Sequence, residues 1–329
     1  MSFRALVTTK GDDGSVASSV QMLDGAQLPQ GNVEVDIDWA GLNYKDGLCL
    51  TGAGNLVRAY PHIAGIDFAG TVRSSEDVRY SAGQAVVLTG WRVGETHWGG
   101  YAERARVSGD WLVPLPVGLS TRDAMVVGTA GLTAMLAINS LEGAGLTPEI
   151  GEVLVTGASG GVGSIAIAIL AKLGYQVAGL SGRPQHADML RSLGATTIVD
   201  RNAFLSQPGK PLEPALWAAA IDSVGGKVLG KLLKQIKYGG AVASIGNAGG
   251  IGLDTNVLPF ILRGISLIGI DSVMQPYAAR VAAWQRIAAT FDIPAYGGMV
   301  REIGLDELPA AAEEILAGAV RGRMIVRPR

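Results

Sequence analysis

Glu152-Val-Leu-Val-Thr156, Gly157-Ala-Ser-Gly-Gly-Val-Gly163 and Ser164–Leu173 follow one another without a break. The first segment reads as a short apolar strand and the second as a glycine-rich turn. The third reads as a buried helix that Gly174 closes. The same grammar continues downstream. Gln176–Leu180 is a second strand, and Ala187–Leu193 a helix ended by Gly194. Thr197–Val199 and Ala218–Ile221 are further strands, and Lys227–Lys237 is a helix stopped by Gly239-Gly240. Ala241–Ile245 and Ile265–Ile270 complete six strands. Strands alternating with helices imply right-handed crossovers and a parallel, doubly wound sheet.

A strand, a glycine turn and a helix in that order also make a phosphate site. The backbone must approach a pyrophosphate without interference from Cβ, and the N–H groups of a helix N-terminus supply donors and positive potential. Here the spacing is G-x-x-G-x-x-G at Gly157, Gly160 and Gly163, with Gly161 added. Ser159, Gly160, Gly161 and Val162 would face the phosphates. Tight turning and helix–strand packing without a ligand is the plainer alternative. The second strand decides between dinucleotides. An NAD site places Asp or Glu near its end for the ribose 2′-hydroxyl, whereas this strand runs into Ser181-Gly182-Arg183 and the next acid is Asp188. Arg183 can pair with a 2′-phosphate and Ser181 can donate to it, so NADPH is the expected cofactor. A solvated loop arginine is the competing reading.

Residues 1–120 speak differently. Phe3–Thr8, Val33–Trp39, Gly70–Arg73 and Gln84–Leu88 read as short strands separated by Gly, Pro, Asp and Ser. A helical period appears between Ser120 and Leu141, interrupted by Gly128-Thr-Ala-Gly131. Helices near Tyr277–Ala289 and Glu307–Ala317 precede a strand-like Arg323–Val326, a tail that can rejoin the first domain. The expected division is 1–123 with 276–329 for the β-rich domain and 124–275 for the parallel-sheet domain. There is no internal repeat.

Composition agrees with an α/β enzyme-like chain. Of 329 residues, 47 are Gly, about twice the ordinary share of roughly 7%. The glycines are unperiodic, which excludes collagen. With 48% hydrophobic and 17% charged residues a large core is available. A net charge of −2 gives no reason to expect nucleic acid as a partner. Cys49 is the single cysteine, so neither an internal disulfide nor a cysteine-based zinc lobe can form. Met1–Lys10 lacks the apolar core of a signal peptide, and no apolar run of about 20 residues predicts a membrane span. A cytoplasmic protein is expected.

The whole chain resembles the medium-chain dehydrogenase/reductase superfamily. Gly65-Ile-Asp-Phe-Ala-Gly70, Gly99-Gly-Tyr-Ala-Glu103, Gly128-Thr-Ala-Gly-Leu-Thr-Ala134 and the glycine turn carry that resemblance. Leu42-Asn-Tyr-Lys-Asp46, Leu88-Thr-Gly-Trp91, His97-Trp-Gly-Gly100, Ser181-Gly-Arg183, Leu258-Pro-Phe-Ile-Leu-Arg263 and Gly269-Ile-Asp-Ser272 are closer still to its acrylyl-CoA reductase/quinone oxidoreductase subfamily. The resemblance implies a GroES-like β-rich catalytic domain, a Rossmann domain and a homodimer. It also implies pairing of that homodimer along Ile265–Ile270 and NADPH-dependent reduction of the carbon–carbon double bond of acryloyl-CoA. Zinc-dependent members carry Gly-His-Glu where this chain has Gly65-Ile66-Asp67, so no metal is expected.

Such a reduction delivers hydride to the β-carbon and develops charge on the thioester oxygen. It needs a hydrogen-bond donor at that oxygen and a proton for the α-carbon, but no nucleophile. Asn43, through its amide, and Tyr44, through its hydroxyl, are the candidate catalytic residues; a plain turn after a strand is the alternative. Tyr44, Thr129 at the domain junction, Arg201, Asn247, Ile270 and Arg323 are candidate cofactor contacts, Thr129, Ile270 and Tyr44 chiefly by resemblance. Lys45 and Asp46 are read as a local ion pair. His97 either relays a proton or holds a loop, and water is the default proton source. An NADPH:quinone oxidoreductase and a non-catalytic NADPH-binding protein are the competing functions. Scattered Arg58, Arg73, Arg79 and Arg92 do not define a patch for the phosphates of CoA.

Overall fold

The computed structural model describes residues 2–206 and 209–329. In chain order the first elements are β1 (Ser2–Lys10), β2 (Val16–Asp24), β3 (Val33–Leu42), α1 (Tyr44–Thr51), β4 (Asp67–Ser75), β5 (Ala85–Thr89), β6 (Arg104–Val107) and β7 (Leu112–Pro114). Then come α2 (Thr121–Gly143), β8 (Val153–Thr156), α3 (Gly161–Lys172), β9 (Val177–Ser181), α4 (Ala187–Ser192), β10 (Thr197–Asp200), α5 (Arg201–Ser206), β11 (Trp217–Asp222) and α6 (Gly226–Leu233). The remainder is β12 (Ile236–Ser244), α7 (Leu258–Arg263), β13 (Ser266–Gly269), α8 (Tyr277–Thr290), α9 (Ile293–Tyr296), β14 (Val300–Gly304), α10 (Leu308–Leu316) and β15 (Arg323–Arg327).

Two compact units result. One comprises residues up to Thr129 with Ser272–Ala288 and Ile293–Arg329; the other comprises Ala130–Asp271 with Ala289–Asp292. The β-rich unit holds the hairpin β1–β2 and a sheet in the order β14-β15-β3-β4-β5-β7, with β6 also on β3. Strand β3 shows why it forms: Val33, Val35 and Ile37 are buried while Glu34, Asp36 and Asp38 are not, the period of two of a strand with one face on the core. Its register on β4 shifts between Ile37 and Trp39. Beyond the shift, Ala40, Gly41 and Leu42 are all buried, because β15 lies antiparallel beside them with Met324 opposite Leu42. The C-terminal strand therefore does return to the first unit.

The second unit contains one six-stranded sheet in the order β10-β9-β8-β11-β12-β13, every neighbouring pair parallel. This is the expected α/β doubly wound arrangement, with its order reversing between β8 and β11. Close packing of α3 on the turn after β8 depends on glycine. A Cβ at Gly163 would lie 2.4 Å from the carbonyl oxygen of Gly157, and Gly157 itself sits at φ +58°.

Several elements differ from the sequence reading. Asn43 and Tyr44 do not lie in a plain turn: Asn43 is the residue preceding α1. That helix is only eight residues long and has Gly47 inside it, so propensity alone would not sustain it. Packing does, since a Cβ at Gly47 would stand 2.9 Å from Ile315 and 3.0 Å from Leu316 of α10. Strands β2, β6, β7 and β14 are additional to those read from the sequence; β6 has only four residues, with Ala105 and Val107 turned to the core. Helix α2 also departs from expectation, being long and apolar enough to cross a membrane by composition. Its most apolar window is 78% buried inside the protein, as in the core helix of a globular fold.

Gly163→Ala is expected to destabilise the protein by about 1–3 kcal/mol, since the added methyl meets backbone rather than a mobile side chain. Thermal unfolding of the variant would show a lowered midpoint; an unchanged midpoint would contradict this packing account.

Candidate functional site

In the second unit the turn after β8 has the form a pyrophosphate requires. Gly160 stands immediately before α3 and its φ of −81° is open to any residue. The nearest atom to a Cβ placed there is the carbonyl oxygen of Gly157, at 3.3 Å. Glycine at this point thus leaves the space ahead of the helix N-terminus clear. Ser159 is buried, and Gly161 and Val162 begin the first turn of α3. Ser164 donates its hydroxyl to the carbonyl of Gly160 at 2.7 Å and holds the turn.

The end of β9 gathers the expected cationic side chains. A Cβ at Gly182 would meet the guanidinium of Arg201 at 2.6 Å, so Arg201 lies directly over the Ser181-Gly182-Arg183 turn. The register of the sheet produces this: Asp200, just before Arg201, pairs with Ser181. Ser181 accepts a hydrogen bond from the Arg183 N–H at 3.1 Å. Neither Arg183 nor Arg201 forms an ion pair among the described residues. The nearby acids are engaged elsewhere: Asp188 with Arg191 at 3.0 Å, and Asp200 with the Ala203 N–H at 2.7 Å. Asn247 is exposed in the loop after β12, and Ile270 follows β13 with its N–H on the carbonyl of Ser244 at 3.0 Å. Asp222, not singled out by sequence, is fully buried and binds the Thr156 hydroxyl at 2.6 Å and the Gly225 N–H at 2.8 Å. Burial raises its pKa.

In the first unit Asn43 is the centre of a buried polar cluster. Its amide nitrogen donates to Asp67 Oδ1 at 3.0 Å and to Asp46 Oδ2 at 3.2 Å. Its amide oxygen accepts from Arg323 at 3.0 Å. Asp46 also accepts from the N–H groups of Asn43 and Ile66, each at 2.9 Å. Asp67 also binds the N–H of Gly41 at 3.1 Å and that of Thr129 at 2.6 Å. The last bond exists because α2 breaks at Gly128, whose φ of 52° and ψ of −158° turn the Thr129 N–H out of the helix. Arg323, 3% exposed, binds the carbonyls of Leu42, Met125 and Val126 besides Asn43.

Three expectations change here, the first being Arg323, expected to reach the cofactor but buried with its donors on the carbonyls of Leu42, Met125 and Val126 and on Asn43. Both amide hydrogens of Asn43 are engaged by carboxylates, so it does not have one to offer an oxyanion. Lys45 and Asp46 do not pair with each other; Lys45 reaches Glu95 at 2.9 Å, and Asp46 faces inward, fully buried. Tyr44 stands apart from the cluster. It is 45% exposed, and its hydroxyl makes no hydrogen bond among the described residues. His97 binds the carbonyl of Arg106 at 2.9 Å and meets Trp111 edge to face, as a loop-holding residue does. Burial depresses its pKa. Burial also pushes the Cys49 thiol up to about 12, which leaves it inert.

Comparison with known proteins places these features. Residues 29–117 match the alcohol dehydrogenase GroES-like domain, and residues 161–289 match the zinc-binding dehydrogenase domain. The chain is 55% identical over 325 residues, 98% of each chain, to the acrylyl-CoA reductase AcuI of Ruegeria pomeroyi. It belongs to the medium-chain dehydrogenase/reductase superfamily. Within that superfamily it is also 46% identical, over 99% of its length and 98% of the relative's, to a putative quinone oxidoreductase, YhfP of Bacillus subtilis. The crystal structure of the YhdH oxidoreductase of Salmonella enterica in complex with NADP superposes with a TM-score of 0.96 at 54% identity, covering all of both chains. The zinc of the matched domain's description does not fit this member: no group of three or more His, Cys, Asp or Glu among the described residues could hold a metal ion.

Burial, followed by the charge of Asp67, raises the Asp46 pKa from 3.8 to about 7. The folded protein thus holds this proton more tightly than the unfolded chain. Its stabilising contribution is full below about pH 4 and is lost as pH rises to about 7. The thermal midpoint of the wild type should therefore fall relative to that of Asp46→Asn between pH 4 and pH 7. A difference that is constant with pH would refute the assignment.

Proposed function

We propose that the protein reduces the conjugated double bond of acryloyl-CoA to propanoyl-CoA with NADPH. The observation that carries this reading is the 55% identity to an acrylyl-CoA reductase across 98% of both chains. When bound, NADPH supplies the hydride that goes to the β-carbon. The N–H groups of the Ser159–Val162 turn and the N-terminus of α3 hold the pyrophosphate. Arg183 and Arg201, with no acid to neutralise them, take the 2′-phosphate together with Ser181. Thr129, Asn247 and Ile270 are assigned to the remaining contacts with the cofactor. Tyr44 donates its hydroxyl to the oxygen on which enolate charge develops. Asn43 is held by its three partners and orients the start of α1, and Arg323 acts through Asn43. Water supplies the proton to the α-carbon.

Reduction of a quinone is the second reading, favoured by the 46% identity to YhfP, whose crystal structure has NAD bound. The edge strand β13 and the exposed apolar Val257, Ile261 and Leu262, 57–69% exposed, suit a homodimer. The cytoplasm is its proposed place of work.

NADPH oxidation followed with acryloyl-CoA, with a quinone and with no acceptor separates the readings. Turnover confined to acryloyl-CoA is expected; turnover confined to the quinone would establish the second reading. Tight NADPH binding without turnover on either acceptor would indicate a binding protein.

Arg183→Ala should weaken NADPH by about tenfold to a hundredfold, the worth of a charge-assisted bond of roughly 1.5–3 kcal/mol. NADH, lacking the 2′-phosphate, should change little. Steady-state KM values for both cofactors check this; an undiminished preference for NADPH would remove Arg183 from the site.

A further inference from the structure

We propose that Asp46 is a positioning residue for the reduction, holding Asn43 and the first turn of α1 so that Tyr44 meets the substrate oxygen at a fixed angle. The proposal rests on the assignment of Tyr44 as the hydrogen-bond donor to that oxygen.

The geometry supports it on each side. Asp46 is the third residue of α1, and its carboxylate reaches back to the N–H of Asn43 at 2.9 Å. It binds the Asn43 amide with the same oxygen, so Tyr44 lies within a ring closed at both ends by one carboxylate. The second oxygen takes the Ile66 N–H at 2.9 Å, which ties the helix start to the strand entry at β4. Asn43 cannot swing away from this arrangement. Asp67 holds its other amide hydrogen and Arg323 holds its oxygen. Tyr44 is thereby the exposed residue between two immobile neighbours, Asn43 and the ion-paired Lys45.

A buried carboxylate is a costly way to fasten a helix. An exposed Ser or Thr cap would secure α1 equally well. What the carboxylate adds is a three-point hold on the backbone before Tyr44 and on Asn43 together. Charge sets the working state of the hold. The charged and titratable groups around the Asn43–Asp46 pair are Asp67 on β4, Arg323 on β15, Tyr101 ahead of β6, Lys45 and Cys49 on α1, and Glu95 paired with Lys45. Burial and the neighbouring Asp67 charge raise the Asp46 pKa to about 7, so Asp46 loses its proton near that pH. The bonds from Asn43 and Ile66 are all accepted by Asp46 oxygens and favour its ionised form, so loss of the proton tightens the hold on Asn43.

Three full-length variants test the proposal with kcat, KM for the acceptor and NADPH affinity by fluorescence. Asp46→Ala should lower kcat at least tenfold with NADPH affinity within about twofold of wild type. Asp46→Asn, which imitates the protonated acid, should match wild-type kcat at low pH and fall below it above pH 7. It should also abolish a rise in wild-type kcat across an inflection near pH 7. Asn43→Ser, whose hydroxyl still suits the position before a helix, should reproduce the loss of kcat even if Asp46→Ala does not fold. Wild-type kcat in both Asp46→Ala and Asn43→Ser, or an unchanged inflection in Asp46→Asn, would overturn the proposal. If the wild type turns over a quinone but not acryloyl-CoA, the functional reading fails, and the same comparisons with the quinone still decide the role of Asp46.

Discussion

The guanidinium of Arg323 is the constraint on which the first unit is built. It is a buried cation, and a buried cation persists only where its donors are matched. Its partners are the carbonyls of Leu42, Met125 and Val126 and the amide oxygen of Asn43. These groups come from the end of β3, the first half of α2 and the residue before α1, while Arg323 itself opens the last strand. One side chain therefore gathers chain segments separated by some two hundred to almost three hundred positions. Gly41 and Gly128 border it because any Cβ there would strike Arg323 or Asp67. The glycine content has a use at these points that ordinary turns do not explain.

The two units organise polar groups by different means. The second unit relies on backbone: glycines bring the turn after β8 close to α3, and helix N–H groups are left facing open space. Among the described residues Arg183 and Arg201 have no acidic partner. The first unit instead buries charge and neutralises it internally. Asp46, Asp67 and Arg323 all turn toward Asn43, and the residue presented outward is Tyr44. A zinc-dependent relative would carry His at the place of Ile66. This chain has an apolar residue there, and the neighbouring carboxylates serve an amide.

Much of this was legible in advance because it is local. The alternation of apolar strands, glycine turns and helices from Glu152 to Ile270 follows from short-range periodicity, and the parallel order follows from chain connectivity. The cationic end of β9 could be read from Ser181-Gly182-Arg183, since an acid is missing where one would bind a ribose hydroxyl. The edges of the β-rich unit were harder. Strand β2 is largely solvent-facing, β6 shows its alternation over only four residues, and β7 has only three. Helix α1 carries a glycine in its middle and forms because α10 packs against it.

By itself, then, the sequence determined the doubly wound sheet, its glycine-rich turn before α3 and the absence of an acid at the end of β9, all of which depend on neighbours within a few residues. The tertiary structure alone decided what Asn43 does. Its amide looked available as a donor, yet Asp67 and Arg323 arrive from 24 and 280 positions away to occupy it. Hydrogen-bond capacity is set by residue type, but whether it is left open depends on partners the fold delivers. That is why Tyr44, and not Asn43, is the residue left with a donor to offer.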